Sequence, residues 1–211
     1  MNVRYPAGMG LSKQLSVRDR KLVQIVDSAL SDAAERSGSW LKCRPGCTQC
    51  CIGPFPINQL DAARLRQGLS ELEFRDPERA QRVRERARDA VETLSPEFPG
   101  DAVTGVLDET EEAAERFDAF ANDEPCPALD PESGTCDLYA ARPMTCRVFG
   151  PPVRSEGGLG VCELCFEGAT AEEIAACQLR VDVEKLEGPL VKAIERADGH
   201  RANTIVAFCL R

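Results

Sequence analysis

Histidine is all but missing from this chain, which holds one in 211 residues, His200. That scarcity removes whole classes of chemistry. Zinc hydrolases and facial-triad iron oxygenases draw two or three imidazoles from the protein. A serine or cysteine triad would have only His200 as its base, and that residue sits in the turn-like Ala197-Asp-Gly-His-Arg201, where we expect an exposed side chain of no functional weight. Aromatic residues are also scarce, at 5%. No apolar run reaches the length of a transmembrane helix. Residues 1–12 lack the apolar core and cleavage site of a signal peptide, so we expect a cytoplasmic protein that makes no use of a membrane. Excess basic charge is absent too. The formal net charge is −9, which argues against binding nucleic acid or an anionic surface.

What the chain has is cysteine, eleven in all. Four fall within nine residues, Cys43-Arg-Pro-Gly-Cys47-Thr-Gln-Cys50-Cys51. Cys126, Cys136 and Cys146 answer them further on, followed by the pair Cys162-Glu-Leu-Cys165. In a reducing compartment a disulfide framework is not expected, and an odd number of thiols cannot all pair within one chain. Thiolates are strong ligands for zinc, Cu(I) and iron–sulfur iron, so the pattern points to metal. A redox-active dithiol or plain structural thiols are the alternatives. The adjacent Cys50 and Cys51 are poorly placed to bind one metal together, so one of them would bridge, serve a second metal or stay free. Cys177 and Cys209 lie in apolar surroundings and read as core thiols.

The periodicity predicts a scaffold of helices. The first spans Ser16 to about Ser37, with Ser16 and Asp19 as a capping box and Gly38 as the stop. Trp40 then reads as a packing anchor for the cysteine knot. Pro45-Gly46 turns the chain inside the knot, and Gly53-Pro54 with Pro56 closes it. Asn58 caps a short helix, about Gln59–Gln67, and a longer one covers Ser70–Leu94 with Pro77 resetting it. The arginines of that longer helix read as a solvated face with intrahelical ion pairs. A loop over Pro96–Gly105 precedes an acidic helix, Asp108–Asn122, with Leu107, Ala114, Phe117 and Phe120 on its apolar side.

Residues 123–150 form a second chemical segment. Pro131 and Gly134 suggest a small hairpin between Cys126 and Cys136, and another is expected between Val153 and Val161. Arg142 and Arg147 flank the thiols, and each either pairs with a carboxylate or compensates a negatively charged thiolate centre. Tyr139 reads as a packing residue with a tethered hydroxyl. Thr170 and Glu173 open a helix reaching about Leu179. Val183–Ala197 is a further helix, interrupted near Gly188-Pro189. The apolar segment Thr204–Leu210 has no type that periodicity settles.

The knot, then Cys126-Pro-x-Leu129, then Cys136-x-x-Tyr139-x-x-Arg142-Pro143-x-x-Cys146-Arg147-x-Phe149, resembles the bacterial YkgJ-type CxxCxxCC cysteine-cluster proteins, described as zinc- or iron-chelating. The resemblance spans about Cys43 to Cys165. It departs from the pattern where Cys43 and Cys47 are three residues apart rather than two, which leaves the role of Cys43 open, and where Leu138 replaces a common isoleucine. The resemblance implies metal binding by the shared cysteines and no fixed reaction. One related group is linked to lysine N-methylation of flagellin, so an enzyme of that kind is the alternative. The spacing Cys43-x3-Cys47-x2-Cys50 is also similar to that by which radical S-adenosylmethionine enzymes hold a [4Fe–4S] cluster. However, Gln49 stands where those enzymes carry an aromatic residue, and the repeated β-α units of their barrel are lacking.

The expectation is a mainly α protein with short hairpins, in which helices support a loop-built, cysteine-lined metal site. Residues 1–12 would be a flexible arm and 13–211 a single domain, with the cluster region at 41–166. Cys43, Cys47, Cys50, Cys51, Cys126, Cys136, Cys146, Cys162 and Cys165 are the candidate ligands for zinc or iron, mononuclear or as an iron–sulfur cluster. Nine thiols exceed one tetrahedral site, so more than one metal is expected. Whether the chain is catalytic, and which protein partner or substrate it meets, stay open.

Overall fold

Ser12, rather than Ser16, opens the first helix. Its hydroxyl accepts from the Leu15 amide at 3.3 Å, so helix α1 runs Lys13–Ser37. Asp19 is thereby freed from capping and turns inward. Gly38, at φ 50°, ends the helix in a conformation that L side chains rarely adopt. The computed structural model describes residues 11–155, 157–198 and 203–211. Most of the expected N-terminal arm and His200 lie outside them; Leu11, within them, packs against the core.

The fold is mainly α, with only two- and three-residue strand pairs among the described residues. Asn58 caps α2 as expected, accepting from Leu60 and Asp61, but α2 runs Gln59–Arg75 without a break at Gly68. Glycine is needed there because a Cβ at position 68 would collide with the Cβ of Ala141. The break falls instead at Asp76-Pro77, where Asp76 caps α3 (Pro77–Leu94) and Pro77 occupies its first turn. Helix α4 is shorter than expected, Glu111–Asp118, because Thr110 supplies the cap; Ala113, not Ala114, is its buried alanine. The preceding loop carries a small hairpin, β1 (Gly100–Asp101) with β2 (Val106–Leu107).

Both expected hairpins form. The first pairs β3 (Leu129–Asp130) with β4 (Thr135–Cys136), and the second pairs β5 (Val153–Ser155) with β6 (Gly158–Gly160). Helix α5 (Met144–Val148) lies between them. Thr170 and Glu173 make their reciprocal capping box, but α6 ends at Ala176. Helix α7, Val183–Asp198, passes through Gly188-Pro189 uninterrupted, because Leu190 and Ile194 are packed against α1 residues such as Leu22 and Val26. Thr204 pairs with Ile57, and α8 (Val206–Leu210) then plugs the space between α2 and α3, with Leu210 only 1% exposed.

One ionic cluster lies between α1, α2 and α7. Arg64 meets Asp19 at 2.6 Å, Asp61 at 2.5 Å and Glu187 at 3.0 Å, all nearly buried. Burial pushes the Asp61 carboxyl up to about 6, because it outweighs the attraction of Arg64. Oδ1 of Asp61 also accepts the Met144 amide at 2.9 Å, which ties the start of α5 to the core.

Candidate metal centre

The knot has almost no regular structure of its own, so what holds each thiol must come from its neighbours. Its back half is sewn to the segment before Cys126. The Cys126 amide donates to the Cys51 carbonyl at 2.7 Å, the Gly53 amide to Glu124 at 2.9 Å, and Ile52 bridges Pro125. Cys136 follows through the β3–β4 hairpin, where it stands opposite Leu129. Cys146 arrives on α5. Cys50, Cys51, Cys126, Cys136 and Cys146 thus share one neighbourhood in which each feels the charge of others in the group.

Backbone donors are already aimed at these sulfurs. The amides of Ala128 and Leu129 face the Cys126 thiol, and that of Leu138 faces Cys136. Such N–H groups stabilise a thiolate and orient it, which is what a metal-bound sulfur requires. Without a metal, burial dominates: it pushes Cys126 up to about 12 and raises Cys136 and Cys146 as well. Cys50 is the exception. A hydrogen bond from Cys51 brings it down to about 6, helped by Arg142 against the opposing effect of burial, and Cys51 rises as the donor.

The two arginines separate in role. Arg147 is buried and paired: it holds Asp27 at 2.8 and 3.0 Å and donates to the Ala140 carbonyl at 2.6 Å. Its Nε, however, is a buried donor with no partner. Arg142 forms no ion pair with the carboxylates of the described residues. Its guanidinium lies 3.9 Å from the centroid of the Tyr139 ring and donates to the Tyr139 carbonyl, while its charge reaches Cys50, Cys136 and Cys146. Tyr139 is therefore not a core packing residue. It is 64% exposed and backs Arg142 from the solvent side.

The front half of the knot goes elsewhere. The Lys42 amide donates to the Cys165 sulfur at 3.3 Å, and the Phe166 amide donates to the Trp40 carbonyl at 3.1 Å. Trp40 stacks on Phe166, centroids 6.4 Å apart, as the packing anchor that was expected. Cys43 feels Cys165, Cys162 and Cys47, and burial pushes it up to about 12. Cys177 packs beside Cys162 and Cys165, and Cys209 against the α2–α3 core; their thiols donate to the carbonyls of Arg36 and Ala62, both at 3.3 Å. Among the described residues no three His, Cys, Asp or Glu side chains already stand in a coordinating arrangement, so the two groups are neighbourhoods of thiols rather than finished coordination shells.

The signal missed in the sequence is the arginine face of α3. Arg79 and Arg86 both reach the buried Asp137, and Arg86 also donates to the Pro127 carbonyl at 2.9 Å. These are not intrahelical pairs; they clamp the residues next to Cys126 and Cys136. A cleft of about 760 Å³ opens on the other side of α5, past Thr145 and Asp61.

A helical scaffold presenting soft donors, oriented amides and the Arg142 guanidinium suits a cysteine-rich metal-binding protein. The sequence model of the CxxCxxCC family, described as a putative zinc- or iron-chelating domain, matches residues 42–165, and the chain belongs to that family. No curated protein and no solved structure matches the chain. No helix of the described residues is long and apolar enough to cross a membrane.

Proposed function

We propose that this chain is a metal-binding protein holding zinc or iron through Cys50, Cys51, Cys126, Cys136 and Cys146. The observation that carries the reading is the convergence of these five thiols from three separate segments, with backbone amides directed at two of them. Four thiolates complete a tetrahedral zinc site or the corners of an iron–sulfur cluster. The fifth is left over, and the adjacent Cys50 and Cys51 compete for one position. A bound metal would supply charge that removes the protons burial now favours, and Arg142 would offset what negative charge remains.

The test is elemental analysis with a visible spectrum on protein purified without oxygen. Brown protein with iron and acid-labile sulfide assigns an iron–sulfur cluster, and colourless protein with stoichiometric zinc assigns a chelating or structural module. Protein that takes up neither metal overturns the reading.

A specific feature favours an enzyme as the second reading. The cleft beside α5 begins one residue from Cys146; Arg64 already holds its Asp61 and Glu187, but Asp182 and Glu184 also line it, together with Arg154 and Arg180. Asp182 and Glu184 suit a cationic side chain, consistent with a modifying enzyme of the lysine N-methylase kind. Saturable binding of a lysine peptide to the metal-loaded protein, weakened by Glu184→Gln, supports this reading, and its absence removes it.

A further inference from the structure

One edge of the β5–β6 hairpin opens into the cleft beside α5, and no strand covers it among the described residues. The geometry points to that edge as a peptide-binding site: an extended segment of another protein, carrying both an acidic and a basic side chain, adds to β5 as a further strand. The inference rests on the cleft taking peptide, as in the second reading above, and on no metal and no reaction.

The free edge follows from the register. Strand β5 pairs only with β6, Val153 with Gly160, Arg154 with Leu159 and Ser155 with Gly158. Along a strand the main-chain groups alternate in direction with a period of two. Just before β5 the Pro152 carbonyl accepts the Leu179 amide at 2.8 Å, so it points away from β6. Arg154, two residues on, turns its N–H and C=O to the same side, and among the described residues no backbone group meets them there. Pro152 is fully buried and has no N–H of its own, so the edge starts at a fixed point and lies open from Arg154 onward. An uncovered edge is a template for another strand, and peptide-recognition domains use it in this way.

The cleft supplies the rest of a site. Val153, Arg154 and Ser155 form one part of its lining and the segment 178–184, leading into α7, forms another; the two meet at the bond between Pro152 and Leu179. Its volume of about 760 Å³ lies within the range of ligand-binding clefts. Met144, Val148 and Val183 give it apolar surface. Arg154, Arg180, Asp182 and Glu184 line it without an ion pair among the described residues. Arg154 holds only the neutral side chain of Gln178, at 3.3 Å, and Asp182 accepts the Lys185 amide at 2.9 Å. Charges of both signs on one lining complement a segment that carries both signs better than a lone cation or anion. Main-chain pairing with β5 then supplies affinity, and the four charges supply selectivity.

The probe is an acetylated and amidated peptide, Thr-Val-Lys-Val-Glu-Val-Thr, together with the peptide in which its lysine and glutamate are exchanged. Fluorescence anisotropy on the full-length chain reads binding, and residue-resolved hydrogen exchange reads where the peptide lies. At least one of the pair should bind saturably, and the Arg154 amide should gain protection while that of Val153, which faces β6, stays as it was. Arg154→Pro removes the outward N–H and leaves the pairing with β6 intact. It should bind the probe about tenfold more weakly than Arg154→Ala, the loss expected for one or two main-chain hydrogen bonds. Should the proline variant misfold, two N-methylated probes take its place, one methylated at the valines and one at the charged residues. Strand addition requires that one of them loses binding and the other keeps it. Absence of saturable binding overturns the inference. So does binding that leaves Arg154 unprotected and treats the proline and alanine variants alike; a lysine side chain held by Glu184 would then still satisfy the second reading. Equal protection of Arg154 by a probe with arginine in place of lysine supports strand addition and removes the lysine-specific reading.

Discussion

Arg86 grips Asp137 at 2.5 Å across the gap between α3 and the cysteine hairpin, and that carboxylate belongs to the residue next to Cys136. Arg79 reaches the same carboxylate, whose side chain is 2% exposed. Asp137→Ala should therefore leave two guanidinium groups without their partner. Because both arginines are partly solvated, we expect about 2–3 kcal/mol of lost stability, below the range for fully buried pairs. Denaturant unfolding measures it, and the metal-loaded variant should release its metal to a chelator faster than the parent does.

Gly68→Ala tests how closely α2 meets the turn that carries Arg142. The added methyl collides with Ala141, and overpacking of this kind costs roughly 1–3 kcal/mol. If thermal unfolding finds the variant as stable as the parent, or more stable through helix propensity, the close approach is wrong.

Cys50 should be the first thiol of the metal-free protein to react with iodoacetamide near neutral pH. The hydrogen bond from Cys51 and the charge of Arg142 bring it to about 6, whereas Cys43 and Cys126 lie near 12. Its alkylation should slow as pH falls through 6. Cys51→Ala should move that midpoint upward, and Arg142→Gln should move it in the same direction by less. Peptide mass spectrometry reads the order of labelling, and equal labelling of all thiols would contradict it.

Asp61 gives a pH signature to folding. Its carboxyl is raised from 3.8 to about 6, so between those values the folded protein binds more protons than the unfolded chain. Stability should fall as pH rises through that window, with the full penalty present above about 6. A shift of this size corresponds to at most about 3 kcal/mol. Asp61→Asn should flatten that slope, whatever it does to stability at a fixed pH.

The longer helices, the β3–β4 and β5–β6 hairpins and the density of thiols in the knot were legible because each depends on local spacing; the five-residue helices α5 and α8 were not. Register errors arose where a distant contact overrode a local rule. Gly68 reads as a helix end but is required by Ala141; Pro189 reads as a break but lies in a helix held by Leu190 and Ile194. The arginines of α3 read as a solvated face because their partner, Asp137, is far along the chain. Arg142 and Arg147 looked equivalent beside the thiols, and only the packing of α1 shows that Asp27 claims one and leaves the other to the cysteines. Nor could spacing show that the start of the knot meets Cys165 while its end meets Cys126.

The division of the knot also bears on the order in which the molecule assembles. Cys43 meets Cys165 only after more than half the chain has been laid down between them, and closing so long a loop is entropically slow. During synthesis the knot therefore emerges first and waits, its four thiols open to whatever metal or oxidant is at hand. The back half gains its neighbours once the hairpin and α5 have followed, while the front half meets the Cys165 loop only after that segment has arrived.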